Sequence, residues 1–514
     1  MARRIHSRLK IVGELTAETP LHVGGYGESF ETDMALARNG KGEYYIPGTS
    51  LTGALRNWFE KSFIDQTDKQ TEESTQKFVK DVWGYQDGNE GHASFVLIED
   101  LALPEQVQSE LRDGVGIDRF YGTAADGIKF DRAILPKGTR LKFEMTVEIQ
   151  KDAKKIKAMF GHLLDALSKG NIRLGASKTR GLGKVTFAPR LIKEALFDEF
   201  SAILDVVEKK PGKTYQIQSL QNEDTGITVS GSQLLTITIA WKPKSALMVK
   251  AGYEGIGVDM LPLTSANSTG KVSLCLPGSS VKGAFRAHAE RILRTFSQQT
   301  VKDVPFHEEI KLDLTNELFG AKKEENEKNK FLGLGALSVD DCYATEVFDS
   351  SVWSEVEAGE LEDDKTYNTQ TLWQALKKID KDDKDDTSNF KISHHVAIDR
   401  WTGGASEGAL YSVLQPTVKI GWQDICLTLD LARLPDDKKL PSLMLLLLVL
   451  RDFAENRLPL GFATNRGMGE VEGVSYKTEG PYEIEWRDGK FDFTNCSDLK
   501  SALEKEWSEW LKKN

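Results

Sequence analysis

Cysteine is scarce in this sequence and is not arranged for chemistry. Four cysteines occur in 514 residues: Cys275, Cys342, Cys426 and Cys496. No C-x-x-C spacing occurs, and no histidines stand at zinc-finger distance. The sequence therefore signals neither a structural zinc nor a disulfide framework. The small number and the spacing of the cysteines fit a reducing, cytoplasmic compartment.

The sequence also lacks long apolar runs and an excess of basic residues. Its most apolar stretch, residues 440–450, is too short for a bilayer, which needs about 20 such residues, and it predicts a buried helix. The N-terminal segment lacks the apolar core of a signal peptide, so we expect no membrane partner. The net charge of −11 argues against a surface that binds nucleic acid all over. Any such site must be local.

What the sequence does contain is an internal duplication. Leu235 follows Leu9 by 226 residues, and Asp259 follows Asp33 by the same interval. Each pair lies in a matching segment, in which a predicted strand precedes a glycine-punctuated loop that holds the aspartate. A repeat of this length indicates one module used twice.

Each aspartate precedes a predicted helix that opens with proline, glycine and hydroxyl residues. The first helix opens with Pro47-Gly48, and the second opens with Pro277-Gly278. Such a start leaves N–H groups free to hold an anion, although an ordinary N-cap explains either copy alone.

Two further signatures recur. The motif I-D-R ends at Arg119 and at Arg400, and a loop of the form G-x-x-x-x-R-G-x-G carries Arg180 and Arg466. Glycines allow close backbone approach, and the arginine supplies charge. A phosphate-binding P-loop is excluded, because Val185 stands where serine or threonine is required. Purely structural glycine turns remain the alternative.

The order strand, helix, strand, strand, helix, strand in each copy predicts an α+β protein of two tandem ferredoxin-like (split βαβ, RRM-like) domains. A helix is also predicted over residues 194–206. The predicted boundaries are a first domain over 1–195, a linker over 196–230, a second domain over 231–478 and a C-terminal tail with a short helix over 479–514. An acidic insertion at about 322–390, with polar runs at 322–330 and 355–386, predicts a solvated, mobile segment or a partner-docking arm.

The three motifs together resemble the repeat-associated mysterious protein (RAMP) superfamily. They are similar to those of the Csm- and Cmr-like backbone subunits of CRISPR type III effector complexes, and the tandem arrangement resembles the double-repeat subunit of type III-D systems. The resemblance implies a cytoplasmic prokaryotic protein that binds guide RNA (crRNA) and target RNA and assembles with other backbone, large and small subunits. It also implies a thumb hairpin near each I-D-R motif.

In such families the loop aspartate is required for metal-dependent cutting of target RNA, in which a 2′-hydroxyl attacks and leaves a cyclic phosphate. The matching positions are Asp33 and Asp259, which would act as catalytic residues and recruit a transient Mg²⁺ or Mn²⁺. The resemblance implies guide-binding residues among Ser50, Arg56, Lys178, Arg180, Ser280, Lys282, Arg286 and Arg466. The second site departs more from the pattern, with Val258 in place of Thr32.

Three other interpretations stay open. A non-catalytic guide-RNA scaffold needs no reactive aspartate. A relative that processes the guide precursor needs a catalytic histidine, yet His22 is matched by Met248, and His394-His395 has no counterpart in the first copy. A metabolic enzyme on a duplicated fold needs matched titratable groups, which the repeats do not offer.

Overall fold

The computed structural model describes residues 4–25, 32–63, 69–104, 107–197, 204, 207–208, 212–222, 233–298, 300–301, 304–310, 312–321, 333–358, 369–379, 388–487 and 489–513. The chain divides into two compact units. Unit 1 comprises Met1–Leu111, Ala133–Lys178 and Leu182–Ser232, and unit 2 comprises Arg112–Arg132, Thr179–Gly181 and Gln233–Asn514. Two short segments of the first repeat therefore belong to unit 2.

The first repeat contains both helices and strands. The strands are β1 (Ser7–Ala17), β2 (Tyr45–Ile46), β3 (Tyr85–Asp87), β4 (Glu90–His92), β5 (Val96–Ile98), β6 (Leu101–Ala102), β7 (Glu110–Ile117), β8 (Ala124–Ile134), β9 (Arg140–Ile149), β10 (Arg180–Gly181), β11 (Val185–Leu196) and β12 (Lys213–Thr214). The helices are α1 (Gly48–Phe63), α2 (Lys69–Trp83), α3 (Ala153–Ser168) and α4 (Ile217–Gln221).

The second repeat has the same mixed content. Its strands are β13 (Leu234–Pro243), β14 (Thr264–Ala266), β15 (Lys271–Leu276), β16 (Gly320–Ala321), β17 (Gly333–Leu334), β18 (Leu337–Asp340), β19 (Cys342–Tyr343), β20 (Phe348–Asp349), β21 (Phe390–Ile398), β22 (Ala405–Pro416), β23 (Ile425–Asp430), β24 (Val471–Glu479), β25 (Glu485–Arg487) and β26 (Lys490–Asp492). Its helices are α5 (Gly278–Ser297), α6 (Phe306–Glu309), α7 (Thr315–Phe319), α8 (Ser350–Ala358), α9 (Thr369–Ile379), α10 (Lys439–Ala454) and α11 (Ser497–Lys513).

The core of unit 1 is a five-stranded sheet in the order β12-β11-β1-β9-β5. Strand β1 pairs antiparallel with β9 and β11, and its apolar residues alternate inward, so that Leu9, Ile11 and Leu15 are fully buried. Helices α1 and α3 cover this face. The rings of Phe59 and Phe160 lie 5.6 Å apart between these two helices.

Unit 2 has a seven-stranded sheet in the order β10-β18-β23-β13-β24-β25-β26. Strand β13 takes the position that β1 holds in unit 1, with antiparallel neighbours on both sides. Helix α10, which contains the apolar run 440–450, is buried against the sheet as the sequence predicts. Among the described helices, none combines the length and apolar character needed to cross a bilayer. The protein is thus a mixed α/β chain with a duplicated sheet plan.

Two sequence predictions are wrong in part. The segment 194–206 was expected to be helical, but residues 194–196 end strand β11, where alternation buries Glu194. The acidic run 355–386 is not solvated throughout, because helix α9 lies within it and buries Leu372, Ala375 and Leu376. Most of the predicted linker 196–230, as well as the run 322–330, lies outside the described residues. The C-terminal helix is confirmed as α11, which buries Trp507.

Glu194 is the centre of a buried polar network in unit 1. Its Oε1 accepts a hydrogen bond from Ser7 Oγ at 2.8 Å, and its Oε2 accepts from Tyr215 Oη at 2.6 Å and from Lys157 Nζ at 3.2 Å. Burial alone would raise the pKa of Glu194, but the hydrogen bonds from Tyr215 and Ser7 and the charge of Lys157 hold it below its ordinary 4.5.

We predict that Glu194→Ala lowers the free energy of unfolding by about 3–5 kcal/mol, because Lys157 is left buried without its counter-charge. Since the folded pKa of Glu194 is depressed, this stabilisation is complete above pH 4.5 and is lost as the pH falls through the folded value. Urea titrations at several pH values would measure it. The matched control, Glu144→Ala, removes a more exposed pair with Lys10 and should cost about 0.2–1 kcal/mol. Equal losses for the two variants would contradict the prediction.

Candidate functional site

Each I-D-R motif forms the tip of a β-hairpin. Strands β7 and β8 flank the first tip, and β21 and β22 flank the second. Asp118 Oδ1 accepts the backbone N–H groups of Phe120 and Tyr121, and Asp399 Oδ1 accepts those of Trp401 and Thr402. These two aspartates shape turns.

The first candidate catalytic residue, Asp33, lies on the surface of unit 1. It precedes Met34, whose carbonyl accepts the N–H of Ala133 from β8 at 3.0 Å. Nearby, the N–H of Leu21 donates to Leu135 O at 3.0 Å, so the segments on both sides of the loop are tied to the end of the hairpin. Asp33 is therefore held at a defined point beside that strand.

The second candidate, Asp259, is exposed and is bound by a serine. Its Oδ2 accepts the Ser412 hydroxyl at 2.7 Å and the Ser412 N–H at 2.6 Å, and its own N–H donates to Ser412 Oγ at 3.1 Å. Partial burial would raise the pKa of Asp259, but these hydrogen bonds, with the charge of His394, lower it below its ordinary value. The carboxyl group is therefore ionised at neutral pH, and the structure records no hydrogen bond to its Oδ1 among the described residues.

Equivalent backbone hydrogen bonds hold the two aspartates. Met260 O accepts the N–H of Leu414 at 3.0 Å, just as Met34 O accepts the N–H of Ala133. The N–H of Leu247 likewise donates to Pro416 O at 3.4 Å, which matches Leu21. The sequence duplication therefore corresponds to a repeated local geometry.

Two aromatic rings of the second hairpin and an arginine from the turn Thr464–Arg466 lie close to Ser412, which binds Asp259. Tyr411 precedes Ser412 and stacks on His395, with ring centroids 5.1 Å apart and planes 19° apart. Arg466 Nη1 donates to the Tyr411 hydroxyl, and its guanidinium lies 5.9 Å from the ring centroid. Arg466 is itself exposed. A planar stack with a cation next to a carboxylate is suited to contact with a base and a phosphate.

The predicted anion sites at the helix starts are filled by the chain's own carboxylates. The N–H of Gly48 donates to Asp100 Oδ1 at 2.7 Å, and the N–H of Gly278 donates to Asp341 Oδ1 at 2.7 Å. A Cβ atom at Gly48 would lie 2.3 Å from Ile98 O, so glycine is needed for close packing of the helix on the strand. These starts bind protein carboxylates rather than offering free donors.

The predicted guide-binding residues of the two long helices fall into two groups. Ser50 is exposed and Ser280 half-buried, and Arg56 pairs with Glu60 at 2.8 Å and keeps about a third of its side chain exposed. In contrast, Lys282 and Arg286 are internal. These two side chains are committed to the protein, which argues against direct contact with RNA.

The contacts of Lys282 and Arg286 explain their burial. Lys282 Nζ donates to Leu337 O at 2.7 Å, and Arg286 donates to Gly320 O at 2.6 Å and to Ile310 O at 3.0 Å. Burial, followed by the charges of Arg180, Arg286 and Arg433, holds the pKa of Lys282 well below its ordinary value. Their role is to satisfy backbone carbonyls around α5.

The glycine loops bind their own chain at several positions. A Cβ atom at Gly175 would lie 2.1 Å from His22 O, and one at Gly461 would lie 2.2 Å from Met248 O. The close approach predicted for a ligand is thus partly an approach to the protein's own backbone. The arginines stay available: Arg180 and Arg466 are exposed, and Lys178 is half-buried.

The donor set around the aspartates fits a weakly held divalent ion. Among the described residues, no three His, Cys, Asp or Glu side chains come together as a metal cluster. An exposed carboxylate such as Asp259 can still contribute one ligand to hydrated Mg²⁺, which keeps several waters and takes its other ligands from phosphates. The residues therefore fit transient binding and do not form a closed cage.

The sequence singled out the two loop aspartates as candidates, but it did not indicate which residues contact Asp259. Ser412 and Tyr411 have no repeated motif around them. The pairing of β21 with β22, which sets His394 opposite Ser412, follows from strand register and is not visible in either residue alone.

The duplicated fold, with a hairpin-bound aspartate in each half, agrees with a comparison to protein families. The chain belongs to the RAMP superfamily, whose family model matches residues 14–186 and again residues 255–472. The chain is also 26% identical over 207 residues to the CRISPR system Cms endoribonuclease Csm3 of Methanocaldococcus jannaschii. That match covers 36% of this chain and 79% of the relative.

We predict that Ser412→Ala raises the pKa of Asp259, because the carboxylate loses the hydroxyl hydrogen bond and keeps only the backbone donor. Carboxyl ¹³C NMR of protein labelled at aspartate would follow the titration. Thr402→Ala is the matched control, since the Thr402 hydroxyl binds Asp399 at 2.9 Å and lowers the pKa of that residue instead. An unchanged Asp259 titration in Ser412→Ala would show that the serine does not set its charge.

Proposed function

We propose that this protein is a backbone subunit of a type III CRISPR ribonucleoprotein, that it binds crRNA, and that it cuts complementary target RNA at Asp33 and Asp259. Each half would be a ferredoxin-like RAMP domain with a thumb hairpin. The observation that carries the proposal is the repeated geometry of the two aspartates, each followed by a methionine whose carbonyl is bound by the second hairpin strand. The similarity to an endoribonuclease supports the same reaction class.

The proposed reaction needs alignment more than acid–base chemistry. The 2′-oxygen of one nucleotide attacks the adjacent phosphorus, the bond to the 5′-oxygen breaks, and a cyclic phosphate and a 5′-hydroxyl are left. A Mg²⁺ or Mn²⁺ ion, when bound, would stabilise the negative charge that develops on the phosphate and the leaving oxygen. The ionised Asp259 would contribute a ligand, and Ser412 would orient it.

The guide RNA would be held by exposed cations around the loops. Arg180 and Arg466 are exposed, and Arg466 lies against Tyr411 near Asp259. Arginine binds phosphate through two parallel N–H groups and also stacks on bases. Lys178, Ser50, Arg56 and Ser280 complete the proposed contact set. The buried Lys282 and the half-buried Arg286, which bind backbone carbonyls, do not belong to it. Large, small and further backbone subunits would complete the complex.

We predict that Asp33→Asn and Asp259→Asn each abolish a different cut in target RNA, with a loss of about 10²–10³-fold in rate. The assay uses the assembled complex and end-labelled complementary RNA, with the cut positions mapped on a gel. Chelation of divalent ions should stop both cuts, and Mn²⁺ should restore them. Asp118→Asn and Asp399→Asn, which change the turns only, are matched controls that keep both cuts.

A second candidate function is a guide-RNA scaffold without catalysis. It is favoured by the lack of any cluster of three metal-ligating side chains among the residues that the structure describes. Under that function both aspartate variants would bind guide RNA normally and leave every cut unchanged. This outcome would remove the catalytic part of the proposal.

We predict that Arg466→Ala weakens guide binding and lowers the slope of log affinity against log salt by about 1, because one phosphate contact is lost. Filter binding of crRNA to the complex at several salt concentrations would measure the slope. Lys282→Met is the control: its side chain is buried, so the slope should stay at the wild-type value. If Lys282→Met lowered the slope and Arg466→Ala did not, Lys282 would be the phosphate contact and Arg466 would not.

A further inference from the structure

Within unit 2, helix α5 and strand β18 are covered by segments of the first repeat. Arg112 forms an ion pair with Asp341 Oδ2, and Arg119 Nε pairs with Glu290 Oε2 at 2.8 Å. The side chains of both acids are fully buried. Strand β10 adds to β18 in parallel and extends the sheet. The surface formed by α5 and β18 is therefore contacted by two arginines, which are seven residues apart, and by an extended Arg-Gly segment.

The first repeat has the same acceptor groups. Asp100 binds the N–H of Gly48 at 2.7 Å, as Asp341 binds that of Gly278. Glu60 forms an ion pair with Arg56 at 2.8 Å, just as Glu290 forms one with Arg286 at 2.8 Å. Strand β5 takes the place of β18. We call Glu60, Asp100 and β5 the acceptor face.

The acceptor face is uncovered in unit 1. Asp100 is exposed, and 37% of the Glu60 side chain is exposed, compared with 0% for Glu290. Within the described part of the chain, no cation pairs with Asp100, and β5 is the edge of its sheet. An open sheet edge presents unpaired N–H and C=O groups, which natural proteins normally cover.

We propose that the acceptor face docks a separate polypeptide, which presents a β-hairpin with two arginines seven residues apart and an extended Arg-Gly segment. One arginine would pair with Asp100 Oδ2 and the other with Glu60, while the Arg-Gly segment adds to β5 as a parallel strand. This is the contact set that Arg112, Arg119 and β10 make inside unit 2. Docking of this kind does not depend on whether Asp33 cuts RNA.

A second copy of this chain matches the acceptor face less well. Its other hairpin carries Arg400 at the position of Arg119 but Ser393 at the position of Arg112. Ser393 is uncharged, and its hydroxyl already donates to Gln415 at 3.0 Å. A copy would therefore cover Asp100 without a counter-charge, which is costly for a desolvated carboxylate. The partner is accordingly a different chain, with arginine where this one has Ser393.

The full-length protein can serve as its own probe. A donor chain carries Asp100→Asn and Glu60→Gln, which block its own acceptor face, together with Ser393→Arg. Its binding to a labelled wild-type acceptor is measured by sedimentation velocity. We expect the donor with Ser393→Arg to bind about tenfold or more tightly than the donor with Ser393. Ser393→Gln is the matched uncharged control and should bind like Ser393.

The acceptor variants decide the location of binding. Asp100→Asn in the acceptor should remove the gain from Ser393→Arg, while it preserves the hydrogen bond to Gly48. Equal binding by the Ser393→Arg and Ser393→Gln donors, or a gain that survives Asp100→Asn, would overturn the proposal. Wild-type copies that bind each other through Asp100 and Glu60 as tightly as the Ser393→Arg donor would identify a second copy as the occupant and overturn it as well. Thermal melting tests whether each donor variant is folded. A Ser393→Lys donor should show the same gain in binding as Ser393→Arg, because it carries the same charge.

Discussion

The backbone hydrogen bond between each hairpin and the residue after the loop aspartate is the constraint on which the candidate site depends. Asp259 is exposed, although Val258 and Leu261 on either side of it are buried in a hydrophobic cluster. The bonds from Ala133 to Met34 and from Leu414 to Met260 tie each loop to a strand of defined register. The position of each loop aspartate in the chain is therefore fixed by the register of the hairpin strand beside it.

Charge is distributed in this protein according to burial. The internal charges are compensated by partners within the protein: Glu290 pairs with Arg119 and Arg286, and Lys282 donates to a backbone carbonyl, because an uncompensated buried charge is costly. The arginines of the glycine loops stay at the surface, where they cost little and can meet phosphate. This division is compatible with the proposed local site for nucleic acid on a chain whose net charge is −11.

Much of the fold could be predicted, because its signals are local and periodic. Strand β1 and helix α10 lie where the sequence predicts a strand before the first aspartate and a buried helix, since alternation and a long apolar run report directly on burial. The predicted helix over 194–206 is wrong at its start, because the sequence alone indicates that Glu194 is a polar surface residue. Its burial depends on Lys157 and Tyr215, which are distant in sequence. The two loop aspartates were predictable only because the repeat marked them.

The amino-acid order alone was sufficient for the duplication, the repeated motifs and the membership of a family, since these are properties of residues at fixed spacing. Tertiary structure alone decided which members of those motifs face water. Lys282 and Arg466 look equally suited to phosphate in the sequence, yet one is enclosed by α5 and β18 and the other lies on an exposed turn. Burial depends on which distant segments pack together, and spacing along one chain does not contain that information.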